Sequence, residues 1–339
     1  MSAQLCGLFH NNEPMSATRT HGVVTLANDV VFEWLAAFCE SHHRHNPGIP
    51  LTVIPFDERT TATERLVSRY GYEMLQGAAP AEIDEIFTPW FEGNSFKAHY
   101  MRKFCAWDTF DDFMFVDADV VFLRDISPYF DAFAKTDADF AHFATDIERV
   151  YHPGEFRDRM VREHNASGFN SGVFLSRRGV LSAQRVREIA ESETTARDRP
   201  QISDLLDQGL MNYCVDISDL KVADANDLVT DIVVAGALMR IVPSDDGYIL
   251  SDKRVPQSGR HVSMLHWAGY KAQPLMAYRR LFLSYRLPNA SVVTKAIFNL
   301  RGLSKMLAKL TPKRVWDRLS WVPYRLRSWL SARGLARWP

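Results

Sequence analysis

The chain has 339 residues, with 40 Lys and Arg against 41 Asp and Glu, and 46% of it is hydrophobic. That length suits one large or two modest domains, and that apolar share supports a sizeable core and excludes wholesale disorder. A net charge of −1 excludes a globally basic nucleic-acid binder. Four scattered cysteines (Cys6, Cys39, Cys105, Cys214) without a CxxC pair argue against a thiolate metal site or a disulfide framework, and fit a reducing compartment.

No basic start followed by an apolar run opens the chain, and no stretch approaches ~18 consecutive apolar residues. A cytoplasmic chain without a membrane-spanning helix is the expectation. The charge is segregated. Residues 288–339 hold eleven Lys and Arg against the single acid Asp317, a net +10, which leaves the other 287 residues with 29 bases and 40 acids, a net −11. Three segments are predicted: an arm over 1–20, an α/β body over 21–286, and a basic helical tail over 287–339, entered through Pro288-Asn-Ala-Ser.

Residues 21–27, HGVVTLA, read as a buried strand. Asn28 or Asp29 can cap the helix that follows, where Val31, Trp34, Leu35 and Phe38 recur at helical spacing. Pro47-Gly48 ends it, and residues 51–56 make a second strand, completing a βαβ unit with a parallel sheet. His42, His43 and His45 are expected on a solvated face of the helix. A longer helix is predicted over 97–109, then a third strand at 113–116. Further on, 140–145 and 172–176 read as strands and 180–193 and 203–214 as helices, while 215–265 is turn-rich and unassigned.

Asp117-Ala118-Asp119 follows the third strand directly, and apolar residues resume at once. Ligands of open α/β sheets bind outside the carboxyl ends of the strands. Two carboxylates at i and i+2 there can converge on a hard divalent ion, which can neutralise a diphosphate. An acidic turn is the plain alternative. A strand ending in DxD also opens phosphohydrolases of the haloacid-dehalogenase type, with Asp117 as nucleophile and Lys221 and Asp245-Asp246 as later partners. In those enzymes the motif follows the first strand rather than the third.

Three further motifs come in order: GFNSGVFL at 168–175, DQGLMN at 207–212 and HWAGYK at 266–271. Together with the DAD motif they resemble, over about residues 21–275, the retaining glycosyltransferase family 8, which includes glycogenin and bacterial lipopolysaccharide hexosyltransferases. The resemblance implies a GT-A fold, with a mixed, mostly parallel sheet flanked by helices. It implies transfer of a hexose from a nucleotide-diphosphate sugar, a UDP-sugar first of all, to a glycan or glycolipid, with retention. On it, Asp117, Asp119 and His266 are the expected ligands of Mn²⁺ or Mg²⁺, and the imidazole tilts the choice towards Mn²⁺.

By the same resemblance Thr25, Ala27 and Asn28 would face the nucleobase, and Ala118 would line the donor. Gly269 and Lys271 would close on the diphosphate. Lys97 is the chosen cation on the donor, with Arg102 and Lys103 competing. Asn170 and Ser171 would line the sugar, and Asp207 and Gln208 would sit by its reacting carbon. Lys271 lies one residue closer to the motif His than the family pattern has it, which implies a closing loop of different shape. Plain readings stand beside these: His266 as a core histidine, Asn170-Ser171-Gly172 as a turn, Asp207-Gln208 as a helix surface. An inverting enzyme would need a carboxylate base, for which Asp146 is the candidate. A sugar-nucleotide pyrophosphorylase would show a Gly-rich loop after the first strand, and this chain has none there.

In the tail, Leu303, Met306, Leu307 and Leu310 share a helical face flanked by Arg301, Lys305 and Lys309, and Thr311-Pro312 can start another helix. Four of the eight tryptophans fall in the last 24 residues. Basic amphipathic helices with interfacial Trp match binding to an anionic membrane surface through residues 301–339. Packing of the tail on the acidic body is the alternative, and no nucleic-acid motif accompanies it. A noncatalytic membrane-associated module of the same fold remains a rival in class.

Overall fold

The computed structural model describes residues 20–145, 147–203, 206–270 and 272–308. Twelve strands among them are β1 (His21–Ala27), β2 (Leu51–Pro55), β3 (Glu73–Met74), β4 (Asp112–Val116), β5 (Val120–Phe122), β6 (Phe140–Ala144), β7 (Phe169–Arg177), β8 (Val222–Asp224), β9 (Ile232–Gly236), β10 (Ile241–Ser244), β11 (Gly247–Leu250) and β12 (His261–His266). A seven-stranded sheet has the order β3-β2-β1-β4-β7-β6-β8, parallel throughout except where β7 runs against β4 and β6. A second sheet joins β10, β11, β12 and β5, with β9 alongside β12.

The βαβ start is as the residues demand. Val23, Val24, Val53 and Ile54 are fully buried in parallel strands, as central strands covered on both faces must be. The Asn28 side chain accepts from Val30 N across a 3₁₀ turn, which leads into the helix Phe32–His45. That helix buries Trp34, Leu35, Phe38 and Cys39. His42 is buried as well, stacked on Phe38 and hydrogen-bonded to the Tyr72 hydroxyl at 2.9 Å, and half-buried His45 pairs with the Tyr285 hydroxyl, so of the three expected on a solvated face only His43 is exposed. Burial holds the His42 ring neutral, its pKa lowered to about 3.

Two apolar clusters sandwich the large sheet. One gathers Phe104, Trp107, Phe113, Phe115 and Phe174, the other Phe38, Phe122, Tyr129 and Phe133. The predicted helix at 97–109 is a short helix, Ser95–Ala98, running on as a 3₁₀ stretch, His99–Asp108. Its tighter winding buries Met101, Arg102, Lys103 and Phe104 in succession, which one face of an α-helix does not do. The unassigned stretch 215–265 supplies five strands, β8 to β12 (the last running on to His266), and their turns (Gly247 at φ +113 among them) break any simple period.

Residues 287–291 lead into the helix Val292–Ala308. It packs on the body through Phe298, which lies under the guanidinium groups of Arg279 and Arg286, and through Asn299, which accepts from Arg279 Nε at 2.9 Å. Val292, Val293, Ile297 and Leu300 of this helix are exposed. No helix among the described residues is long and apolar enough to cross a membrane. The arm over 1–19 and the tail beyond 308 lie outside the described residues.

Candidate active site

β4 ends at Val116, and β5 leaves the large sheet to pair with β12 in the second one. The Asp117–Asp119 turn is therefore the hinge between the sheets, and His266, the last residue of β12, arrives beside it. Asp119 O accepts from Trp267 N at 3.0 Å, and Asp117 N donates to Gly172 O at 2.7 Å. His266 Nε2 stands 3.2 Å from Asp119 Oδ1 and 3.9 Å from Asp117 Oδ2. One ligand atom from each of the three lies within 4.8 Å of the others.

These residues fit a divalent ion. Asp119 Oδ1 is buried with the His266 ring 3.2 Å away, and two carboxylates with an imidazole are a suitable donor set. Burial works against a charged imidazole, but Asp119 beside it holds the His266 pKa above its ordinary value.

Lys103 is the buried cation of the site. Its Nζ lies 3.0 Å from Asp117 Oδ1 and 2.6 Å from Asp207 Oδ2, donates to Ser171 O at 3.3 Å, and sits over the Phe115 ring. Burial would strip its proton, but the two carboxylates outweigh burial and keep the ammonium charged. Asp207 and Gln208 begin the helix Leu206–Asp216, which grips the start of β7. Ser171 N donates to Gln208 Oε1 at 3.0 Å, Gln208 Nε2 donates to Phe169 O, and Phe169 N donates to Asn212 Oδ1 at 2.8 Å. Ser171 Oγ lies within hydrogen-bond reach of both Asp207 and Gln208.

A cavity of 320 Å³ opens beside this cluster along the carboxyl ends of the strands. Leu26, Ala27 and Asn28 from the end of β1 line it, as do Asp117, Ala118 and Asp119 from the hinge, and Lys103 and Asp207. Its remaining walls are largely apolar: Val31, Trp34, Phe56, Phe96, Tyr100 and Tyr270, with Arg59 at the rim. A mostly apolar cleft with a few converging charges is the usual form of a small-molecule site.

Of the residues singled out from sequence, Ala27, Asn28, Asp117, Ala118, Asp119 and Asp207 line this cavity, with His266 against the carboxylates. Ser171 and Gln208 stand one layer behind, occupied with each other and with β7. Thr25 is fully buried within β1 and does not line the cavity. Asn170 turns its Oδ1 onto Gly172 N at 2.8 Å. Gly269 is exposed at φ +74, in a backbone conformation that suits glycine.

Lys97 is exposed and does not line the cavity; Lys103, on the 3₁₀ stretch, is the cation that reaches the carboxylates. Lys271 and Asp146 lie outside the described residues. The partners a phosphohydrolase would need are elsewhere: Lys221 pairs with Asp137 at the opposite edge of the sheet, and Asp246 with Arg124. Sequence reasoning missed Arg59 and the aromatic wall, because isolated residues after β2 and on the 3₁₀ stretch carry no motif.

Residues 97–241 match the family described as nucleotide-diphospho-sugar transferase. Among curated proteins, no sequence matches the chain. Among solved structures, the galactosyltransferase LgtC in complex with donor and acceptor sugar analogues is 15% identical, with 80% of this chain and 97% of LgtC covered and a TM-score of 0.52. An active-site mutant of LgtC is 13% identical with the same coverage and the same TM-score. At such identities the structural likeness speaks for the fold, which is GT-A, and the domain match speaks for the transferase. The chain has a GT-A fold and is a glycosyltransferase, its residues 97–241 matching the nucleotide-diphospho-sugar transferase family.

Proposed function

We propose that the protein is a divalent-metal-dependent, retaining hexosyltransferase that uses a UDP-sugar and a glycan or glycolipid acceptor. The observation that carries this reading is the convergence of Asp117, Asp119 and His266 at the floor of the cavity. Those three would hold the ion, Mn²⁺ by preference. Once bound, the ion supplies charge stabilisation to the departing nucleoside diphosphate. LgtC, bound to donor and acceptor sugar analogues, supports a site with room for both.

The chain's own residues do the rest. Asn28 and the apolar wall bind the nucleoside, and Gly269 with Lys271 close on the diphosphate. Lys103 fixes Asp117 and Asp207 in one arrangement, so neither carboxylate has to reorganise during the reaction. Asp207 and Gln208, with Asn170 and Ser171, hold the sugar side, where Asp207 stabilises the positive charge that grows on the anomeric carbon. With retention, the acceptor hydroxyl attacks from the face the diphosphate leaves, and a phosphate oxygen of the donor takes its proton.

Residues 301–339 are proposed to hold the enzyme on an anionic membrane surface, on the cytoplasmic face. The net +10 of residues 288–339 supports this. Sedimentation with phosphatidylglycerol vesicles tests it. The full chain should pellet in low salt and a chain ending at 308 should not, whereas equal pelleting would contradict the proposal.

The transfer reading is tested with purified full chain, Mn²⁺, UDP- and GDP-hexoses and extracted glycolipids. One sugar nucleotide should be consumed into a new glycolipid, with the anomeric configuration of the donor kept in the product by NMR. An inverted product would remove the retaining assignment, and no product from any donor would remove the function.

A further inference from the structure

The cavity follows the order of the strands. Arg59 comes after β2, Asn28 after β1, Asp117 after β4, and the first residues of β7, Ser171 and Gly172 among them, run beside Asp117. Neighbouring strands lie ~4.8 Å apart, so the β2 end of the cavity is about 10 Å from the carboxylates after β4. A donor whose diphosphate rests at β4, with its sugar towards Asp207, extends its nucleoside past Asn28 to Arg59. The far edge of the base, remote from the ribose, is then what meets Arg59.

Arg59 is built to read such an edge. Its Nε donates to Asp57 Oδ2 at 2.9 Å and its Nη2 to the same oxygen, while its own backbone N–H donates to Asp57 Oδ1 at 3.0 Å. Asp57 is buried, and the Asn28 side chain also donates to it. The Arg59 carbonyl accepts from Asp29 N at 2.8 Å, so backbone and guanidinium are both tied. Yet the side chain is 58% exposed at the cavity rim, and no protein contact among the described residues takes its Nη1. A guanidinium oriented by a buried carboxylate, with one N–H edge left for the cavity, is a preorganised donor that offers no acceptor.

We propose that Arg59, clamped by Asp57, is a specificity-determining residue that reads a ring carbonyl on the far edge of the donor's base. This rests on the nucleotide-sugar reading of the cavity. Uracil presents O4 at that edge and guanine O6, both acceptors; cytosine and adenine present amino donors in the same places. An arginine with only N–H groups to offer accepts the first pair and rejects the second. A site that hydrogen-bonds one such group discriminates well beyond what apolar packing achieves.

The test is calorimetric binding of UDP and CDP, which differ only at that edge, to the full chain with Mn²⁺. Wild type should bind UDP at least about tenfold more tightly than CDP. Arg59→Ala should lose about that factor for UDP and leave CDP within about twofold, and Arg59→Lys should restore part of the preference. The residue is more than half exposed, and a melting curve checks that the fold is kept. Equal weakening of UDP and CDP would make Arg59 a phosphate or ribose contact and overturn the inference alone, as would unchanged UDP binding. Failure of wild type to bind UDP, CDP or GDP would instead overturn the reading on which it rests.

Discussion

Gly172 presses its bare α-carbon against the carboxylate of Asp117. An alanine methyl there would lie 2.5 Å from Asp117 Oδ2 and 2.6 Å from His266 Cε1, closer than side-chain carbons approach. The glycine of the FNSG strand thus leaves room for two of the three proposed metal ligands to converge. Gly172 sits in ordinary strand conformation, so the consequence of adding a methyl is local to the ligands. Gly172→Ala should weaken Mn²⁺ binding by about 10- to 100-fold, as titration followed by electron paramagnetic resonance would report, and cost about 1–3 kcal/mol of stability through overpacking. Unchanged affinity would mean that the three side chains do not act together on an ion.

Lys103 ties the two halves of the site. Replacing it with Met leaves Asp117 and Asp207 facing each other in a buried setting without their shared cation. Removing one partner of a buried ion pair typically costs about 3 kcal/mol or more. Lys103→Met should lower the unfolding free energy by roughly that amount in urea titrations and abolish donor hydrolysis. Lys97→Met, on an exposed position, should leave stability within about 0.5 kcal/mol.

The Asp117, Asp119 and His266 cluster was expected from the motifs, and Lys103 was only one of three competing cations. The DAD motif announces itself because charge interrupts an apolar run, whereas His266 was reached only through the resemblance that its HWAGYK motif carries. Which of Lys97, Arg102 and Lys103 turns inward is decided by the 3₁₀ winding of His99–Asp108, which propensity does not reveal. Arg102 in fact turns onto Asp84 and the Pro55 carbonyl, away from the carboxylates. The βαβ start was readable because Val23, Val24, Val53 and Ile54 form continuous buried runs. β9 to β12 were not, because they run only four to six residues between close turns and are defined by their partners.

Away from the site, Asp216 is half-buried and accepts a hydrogen bond from the Tyr151 hydroxyl at 2.7 Å, with Cys214 nearby. Burial pushes its pKa up to about 7. The native chain therefore keeps this proton up to about pH 7, whereas the unfolded chain releases it near pH 4. Between those values unfolding releases a proton, so stability falls as pH rises and levels off above about 7. Chemical denaturation at pH 5 and pH 8 should show on the order of 2 kcal/mol of this loss, and Asp216→Asn should remove it. A variant with the wild-type slope would place the titrating group elsewhere.

The most direct test of the account is metal-dependent hydrolysis of the sugar nucleotide without acceptor, comparing wild type with Asp119→Ala. Asp119→Ala takes away the carboxylate that stands 3.2 Å from His266 Nε2, so a melting curve is recorded first to show that the variant folds. The account predicts slow hydrolysis of one UDP-hexose by wild type with Mn²⁺, none after chelation, and none by Asp119→Ala under either condition. Hydrolysis that persists in the chelated enzyme or in the variant would contradict it.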